Sequence, residues 1–178
     1  SKRERTGTLV DVDQGRDAPR DILKSVAYKK NISLVTVTPY KRFSQYVFWE
    51  GIFSVLTQAG IATGMMATSE YSVAFSVDSK ADVNALKHQL DELGRVTVEQ
   101  GKAILCLVGK GLRGRAGVTD RIFRPLSEMK IYMVSHGASD LNLTLLIDEE
   151  NVPHALNRLH KEFFDTATLS DTFETIAQ

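Results

Sequence analysis

The sequence predicts an α+β fold of two βαββαβ modules with antiparallel sheets, the first inserted within the second. Three observations predict it: an internal repeat, the same order of strand-like and helix-like runs in both copies, and a second copy that lacks its last strand. Shifting the chain by 70 positions lays Phe53 and Leu56 on Phe123 and Leu126, and Ile61 on Ile131. The same shift lays Ser69 on Ser139, Glu70 on Asp140, Asp78 on Asp148, and Ala85-Leu86 on Ala155-Leu156, without a gap. Apolar positions follow, with Val73, Phe75 and Val77 falling on Leu143, Leu145 and Ile147.

In the first copy, 32–37 is β-branched and alternating and reads as a strand. Trp49, Ile52, Phe53 and Leu56 recur at helical spacing and form one apolar face. Two strands, 61–67 and 71–77, are joined by a short connection at 68–70. A second amphipathic helix covers 81–93 with Val83, Leu86, Leu90 and Leu93 on one side, and 95–100 supplies a fourth strand. The second copy runs through a strand at 103–108, a helix at 118–129, strands at 131–135 and 141–147, and a helix at 150–164. Beyond Phe164 the chain is polar and weakly patterned, so an edge is left open. The strand-like run 24–28, just before the first copy, is expected to cross over and fill it. The predicted division is therefore 31–101 for the first module and 22–30 plus 102–165 for the second, with 1–21 a linker and 166–178 a tail. A four-stranded antiparallel sheet with helices on one face is the ferredoxin-like arrangement, which hosts many unrelated functions.

Composition narrows the classes. Lys and Arg total 22 against 22 Asp and Glu, so no net field draws the protein to nucleic acid or anionic lipid. No apolar run approaches the roughly 20 residues that span a bilayer, and the start lacks a signal-peptide pattern, so a cytoplasmic protein without a membrane partner is expected. The one cysteine, Cys106, sits in the apolar run 103–108 and reads as a small core residue.

Three runs carry a family resemblance: Thr68-Ser-Glu-Tyr-Ser-Val-Ala-Phe-Ser-Val-Asp78, Val134-Ser-His-Gly-Ala-Ser-Asp-Leu-Asn142 and Leu159-His-Lys-Glu-Phe-Phe164. They resemble the turn of the first ACT domain, the turn of the second, and the closing helix in the regulatory region of aspartokinases. Upstream, Thr6-Gly-Thr-Leu-Val10 is similar to the segment where that family's kinase domain ends, and the opening motif of that domain is absent. The resemblance implies a sensor and not a catalyst. The parent enzyme would be an aspartate kinase that phosphorylates a side-chain carboxylate, with ATP and magnesium held by the kinase domain and no cofactor here. It also implies a homodimer of ACT modules that binds a free end-product amino acid, lysine or threonine, at the paired first modules and so inhibits its own kinase domain. Carried over, the effector-binding positions are Ser44, Gln45, Tyr46, Val47, Phe48 and Trp49, with Gly64, Thr68, Ser69 and Glu70. Gly64 stands where lysine-sensitive members often carry an acid, which makes threonine a rival to lysine.

The chemistry agrees with that assignment. A zwitterion's carboxylate seeks the unpaired N-H groups of a helix's first turn, and its ammonium seeks a carboxylate such as Glu70 or strand carbonyls. Alternatively, Ser69 and Glu70 form a solvated turn, Phe48 and Trp49 belong to the core, and the region is a ligand-independent structural dimerisation module. Other motifs are weaker. Gly109-Lys-Gly-Leu-Arg-Gly114 fits G-x-G-x-x-G, but the matching loop of the first copy, 39–48, has no glycine and the module is too short for a dinucleotide fold. His88, His136, His154 and His160 share no metal-ligand spacing, and Ser135-His136 with Ser139-Asp140 is a poor triad because strand neighbours face opposite ways.

Overall fold

The computed structural model describes residues 22–40, 44–137 and 139–164, together with the strand 173–175. Its strands are β1 (Leu23–Pro39), β2 (Thr63–Thr68), β3 (Val73–Asp78), β4 (Gly94–Gly109), β5 (Ile131–His136), β6 (Asn142–Asp148) and β7 (Phe173–Thr175). Its helices are α1 (Gln45–Gln58), α2 (Val83–Leu90), α3 (Val118–Phe123) and α4 (Val152–Phe164). One sheet runs β2-β3-β1-β4-β6-β5, antiparallel at every step, and β7 adds to β1 in parallel.

Two long strands make this one sheet. The expected strands at 24–28 and 32–37 are a single 17-residue β1, and those at 95–100 and 103–108 are a single 16-residue β4. They pair from Leu23↔Gly109 to Pro39↔Gly94. The amino-terminal half of β1 therefore serves the second module and its carboxy-terminal half the first, which is the insertion read from the missing strand. The polar stretches between the apolar runs become irregular ladder and not loop. Register shifts fall between Lys29 and Leu34, Asn31 has φ 57° and Gly101 φ 67°, a left-handed backbone at both strand centres. The Asn31 N-H still donates, to Glu149 Oε2 at 2.9 Å.

Three apolar clusters follow from alternation along the strands. Val35, Val37, Val73, Phe75 and Val77 face Phe48, Ile52 and Leu56 of α1 and Leu86 and Leu90 of α2. Leu105, Leu107, Leu143, Leu145 and Ile147 face α3 and α4 through Ile122, Ala155 and Leu159. On the opposite, helix-free faces, Ile32, Leu34, Met65, Met133 and Leu146 form a third cluster that joins the modules. Each of the larger side chains contributes about 1.5–3 kcal/mol by leaving water.

The local departures have physical causes. Phe53 is half exposed, because the buried stripe of α1 runs Phe48-Ile52-Leu56 and Phe53 lies one position off it. The expected helix at 118–129 ends at Phe123 and tightens into a 3₁₀ turn, Arg124–Leu126, around Pro125. The tail, expected to hold no strand, contributes β7 beside Val26, Ala27 and Tyr28, the stretch of β1 that β3 does not reach. Cys106 is half-buried and accepts from Thr144 Oγ1 at 3.7 Å.

Where the modules join, Lys102 is almost wholly buried. Its ammonium lies 2.8 Å from Asp148 Oδ1, 3.5 Å from Glu99 Oε2 and 3.9 Å from the centre of the Tyr132 ring. The Tyr132 hydroxyl donates to the same Asp148 oxygen at 2.9 Å. Burial opposes both charges, but the hydrogen bonds and mutual attraction outweigh it. Asp148 titrates below the ordinary carboxyl value and Lys102 above the ordinary ammonium value.

Candidate functional site

Because β1 ends at Pro39 and pairs through Val37 with Val73, the start of β3, the β2–β3 turn lies at the end of the sheet where the chain enters α1. The structure thus gathers Ser44–Trp49 and Thr68–Glu70 at one end of the first module. Gly64 is four residues back along β2, roughly 13 Å from Thr68 at strand spacing. It lines a cavity at the far end with residues of the α1–β2 connection and of α2.

Ser44 is the N-cap of α1, extended at φ −72° and ψ 153°, and its side chain caps nothing. Its carbonyl accepts the Phe48 N-H at 3.0 Å, so the amides of Gln45, Tyr46 and Val47 have no acceptor within the helix. No acid occupies the first turn, and the positive end of the helix dipole is uncompensated there. Ser44, Gln45, Tyr46 and Val47 are exposed, Tyr46 to 77 %. Phe48 is 2 % exposed and belongs to the core, so it can offer a ligand no side chain. Trp49 is half-buried with the Tyr46 ring edge-on at 5.9 Å, and its indole N-H is enclosed without an acceptor among the described residues.

The turn is organised by Ser69. Its Oγ accepts the N-H groups of Tyr71 at 3.2 Å and Ser72 at 3.0 Å, while its own N-H donates to the Ser72 carbonyl at 2.8 Å. Ser139 repeats part of this, accepting the Leu141 N-H at 3.1 Å. The repeated serine therefore has a structural task in both copies. Thr68 closes the ladder opposite Val73, and Glu70 projects into solvent. Tyr71, read as the start of a strand, is instead on the turn and 72 % exposed beside these groups; its aromatic type suited a strand, and nothing in the spacing separated the two placements.

The corresponding corner of the second module carries an exposed ion pair. Arg113, in the glycine-containing loop after β4, reaches Asp140 at 3.4 Å and donates to the Gly137 carbonyl at 2.8 Å, while Leu112 of the same loop plugs the core. In the first module Glu70, which matches Asp140 in the repeat, has no ion-pair partner among the described residues. Among the described residues, the first corner thus sets amide donors on one side and a carboxylate on the other, where the second carries the Arg113–Asp140 ion pair.

Residues 105–163 match the model of the ACT domain. The chain is 28 % identical over 183 residues, 97 % of its length and 32 % of the relative's, to the chloroplastic aspartokinase 3 of Arabidopsis thaliana. It superposes with a TM-score of 0.72 and 28 % identity on a C-terminal regulatory domain assigned to aspartate kinase from Porphyromonas gingivalis, covering 81 % of this chain and 99 % of that one. It also matches E. coli aspartokinase III in complex with lysine and aspartate, with a TM-score of 0.69 and 29 % identity over 80 % of this chain and 33 % of that one. The chain is a tandem pair of ACT-type modules. It is homologous to the regulatory region of aspartokinases, and it spans about a third of the length of the curated relatives it matches.

Proposed function

We propose that this chain is the amino-acid-sensing region of an aspartate kinase, and that an end-product amino acid binds at the open corner of the first module. The observation that carries the reading is the contrast between the two corners among the described residues: Arg113 bridges the second at the surface, while in the first the Gln45–Val47 amides and the Glu70 carboxylate meet no partner. The ligand's carboxylate would meet those amides and the helix dipole, and its ammonium Glu70 or strand carbonyls. Lysine, present in the E. coli complex, and threonine are the candidate effectors. Gly64 supplies no side-chain acid to either.

The ligand would lie between two copies. β2 is the last strand on its side of the sheet, and its outer edge has no neighbour among the described strands. Antiparallel pairing of β2 with β2 of a second copy would cover that edge and bring two open corners close to one two-fold axis. Binding that favours one arrangement of the paired modules over another would hold the attached kinase domain inactive.

The test is calorimetry with lysine and threonine on the chain and on Gln45→Pro. Gln45 is the first residue of α1, where proline is tolerated, and Ser44 before it is extended, so the variant should fold normally, lack one of the three amides and lose at least about ten-fold in affinity, roughly 1.4 kcal/mol. Undiminished affinity in Gln45→Pro would move the site elsewhere.

A further inference from the structure

At the opposite end of the first module lies a cavity of about 640 Å³, within the usual range for small-ligand sites. It exists because β2 parts from β3. The register breaks between Thr63 and Met66, and the Met65 N-H, turned from the ladder, donates to the Ser76 hydroxyl at 2.8 Å. Gly60, at φ 62°, swings the α1–β2 connection clear of the first turn of α2. Gly64 thins the wall: a Cβ there would come within 2.8 Å of Ile104 Cδ1 and 3.2 Å of Ser76 Oγ.

The floor is apolar, formed by Val77 and Leu86, and the rim carries Lys29, Asp78 and Asp82. Lys29 Nζ lies 3.2 Å from Asp78 Oδ2. The Lys80 N-H, donating to Asp78 at 3.0 Å, together with Lys29 keeps that carboxyl below its ordinary titration range and ionised. Asp82 is held in orientation by accepting the Ala85 N-H at 2.9 Å. The lining thus sets two carboxylates against one ammonium around an apolar floor, the inverse of the donor-rich corner at the other end of α1.

We propose that this cavity is a second small-molecule site, separate from the corner at the start of α1, and that it takes a small aliphatic amine. The ammonium sits against Asp78 and Asp82, and the chain lies on the Val77-Leu86 floor. Of the carried-over effector positions only Gly64 borders this cavity, so it gives the module a second input distinct from the Gln45–Val47 amides and Glu70.

Hexylamine and hexanoate, chains of equal length with opposite charge, titrated into the ¹⁵N-labelled chain provide the test. Hexylamine should move the amide signals of Gly60, Gly64 and Ala85 saturably at millimolar concentration, and hexanoate should not. Asp82→Asn keeps the helix cap but loses the charge, and should weaken hexylamine about ten-fold. Ala85→Leu, a substitution that α2 tolerates by helix propensity, should narrow the cavity mouth and weaken the response. Gln45→Pro should leave it intact, which separates this site from the amino-acid corner. No saturable shift at those amides, an equal response to hexanoate, or an unchanged response in Ala85→Leu would overturn the proposal.

Discussion

At the scale of single residues, charge and burial divide the labour. Lys102 and Asp148 are opposed across β4 and β6 and joined at 2.8 Å, so losing one leaves the other poorly compensated. Lys102→Met should cost about 2 kcal/mol in urea unfolding, less than a fully buried pair because Asp148 keeps some solvent. The pH signs follow from the shifts. Asp148 titrates lower folded than unfolded, so its stabilisation is complete above the unfolded value of about 3.9 and is lost as pH falls through the lower folded value. Lys102 titrates higher folded, so its contribution is complete below about 10.4 and is lost as pH rises through the higher folded value. Asp148→Asn should flatten the acid limb of a stability-versus-pH curve. Neither residue stood out in the sequence, where an acid repeated at Asp78 and Asp148 read only as part of the register; its lysine partner became visible once the strands were paired. The same limit applies to the site residues. Helical spacing put Phe48 and Trp49 on a face but not on a side of it, and only packing shows that Phe48 is core while Tyr46 is exposed. Phe48→Ala should therefore cost about 3–5 kcal/mol, whereas Tyr46→Ala should stay within about 0.5 kcal/mol of the parent.

At the scale of elements, β1 and β4 are the spine. Each end of β4 is a glycine pressed on the β1 backbone: a Cβ at Gly109 would lie 1.9 Å from the Ile22 carbonyl oxygen, and one at Gly94 2.3 Å from that of Thr38. Backbone cannot yield as a side chain can, so Gly109→Ala should destabilise by at least about 2 kcal/mol in a denaturant melt, and Gly101→Ala should be penalised for its positive φ rather than for any contact. Most elements were legible, because alternation over 32–37 or 71–77 and a helical stripe over 83–90 are local properties. The fusion of two short strands into one long one was not. Lys29-Lys30-Asn31 and Glu99-Gln100-Gly101 break the apolar pattern, and only the pairing of β1 with β4, with Lys29 opposite Ile104 and Glu99 opposite Leu34, keeps the strands continuous through them. β7 was hidden for the same reason, since a three-residue strand depends on an open edge of β1 and not on its own pattern.

At the scale of the whole molecule, the repeat and the missing last strand were enough to read one module threaded into another. The proposed asymmetry between the two corners was not, because it depends on a side chain, Arg113, reaching Asp140 and Gly137 where the two copies look equivalent in sequence. The proposed pairing through β2 should appear as a dimer in sedimentation, and a proline at Met66, opposite Phe75 in the edge strand, should weaken it. The central claim, that one corner of this molecule senses a free amino acid, is tested most directly by a thermal-shift screen against lysine, threonine, methionine and the other common amino acids. A ligand at 100 times its dissociation constant should add about 2.7 kcal/mol, a rise of several degrees for a chain of this size. The account predicts such a rise with lysine or threonine and its loss in Gln45→Pro; an unchanged melting temperature with every amino acid would contradict it and leave a module that only assembles subunits.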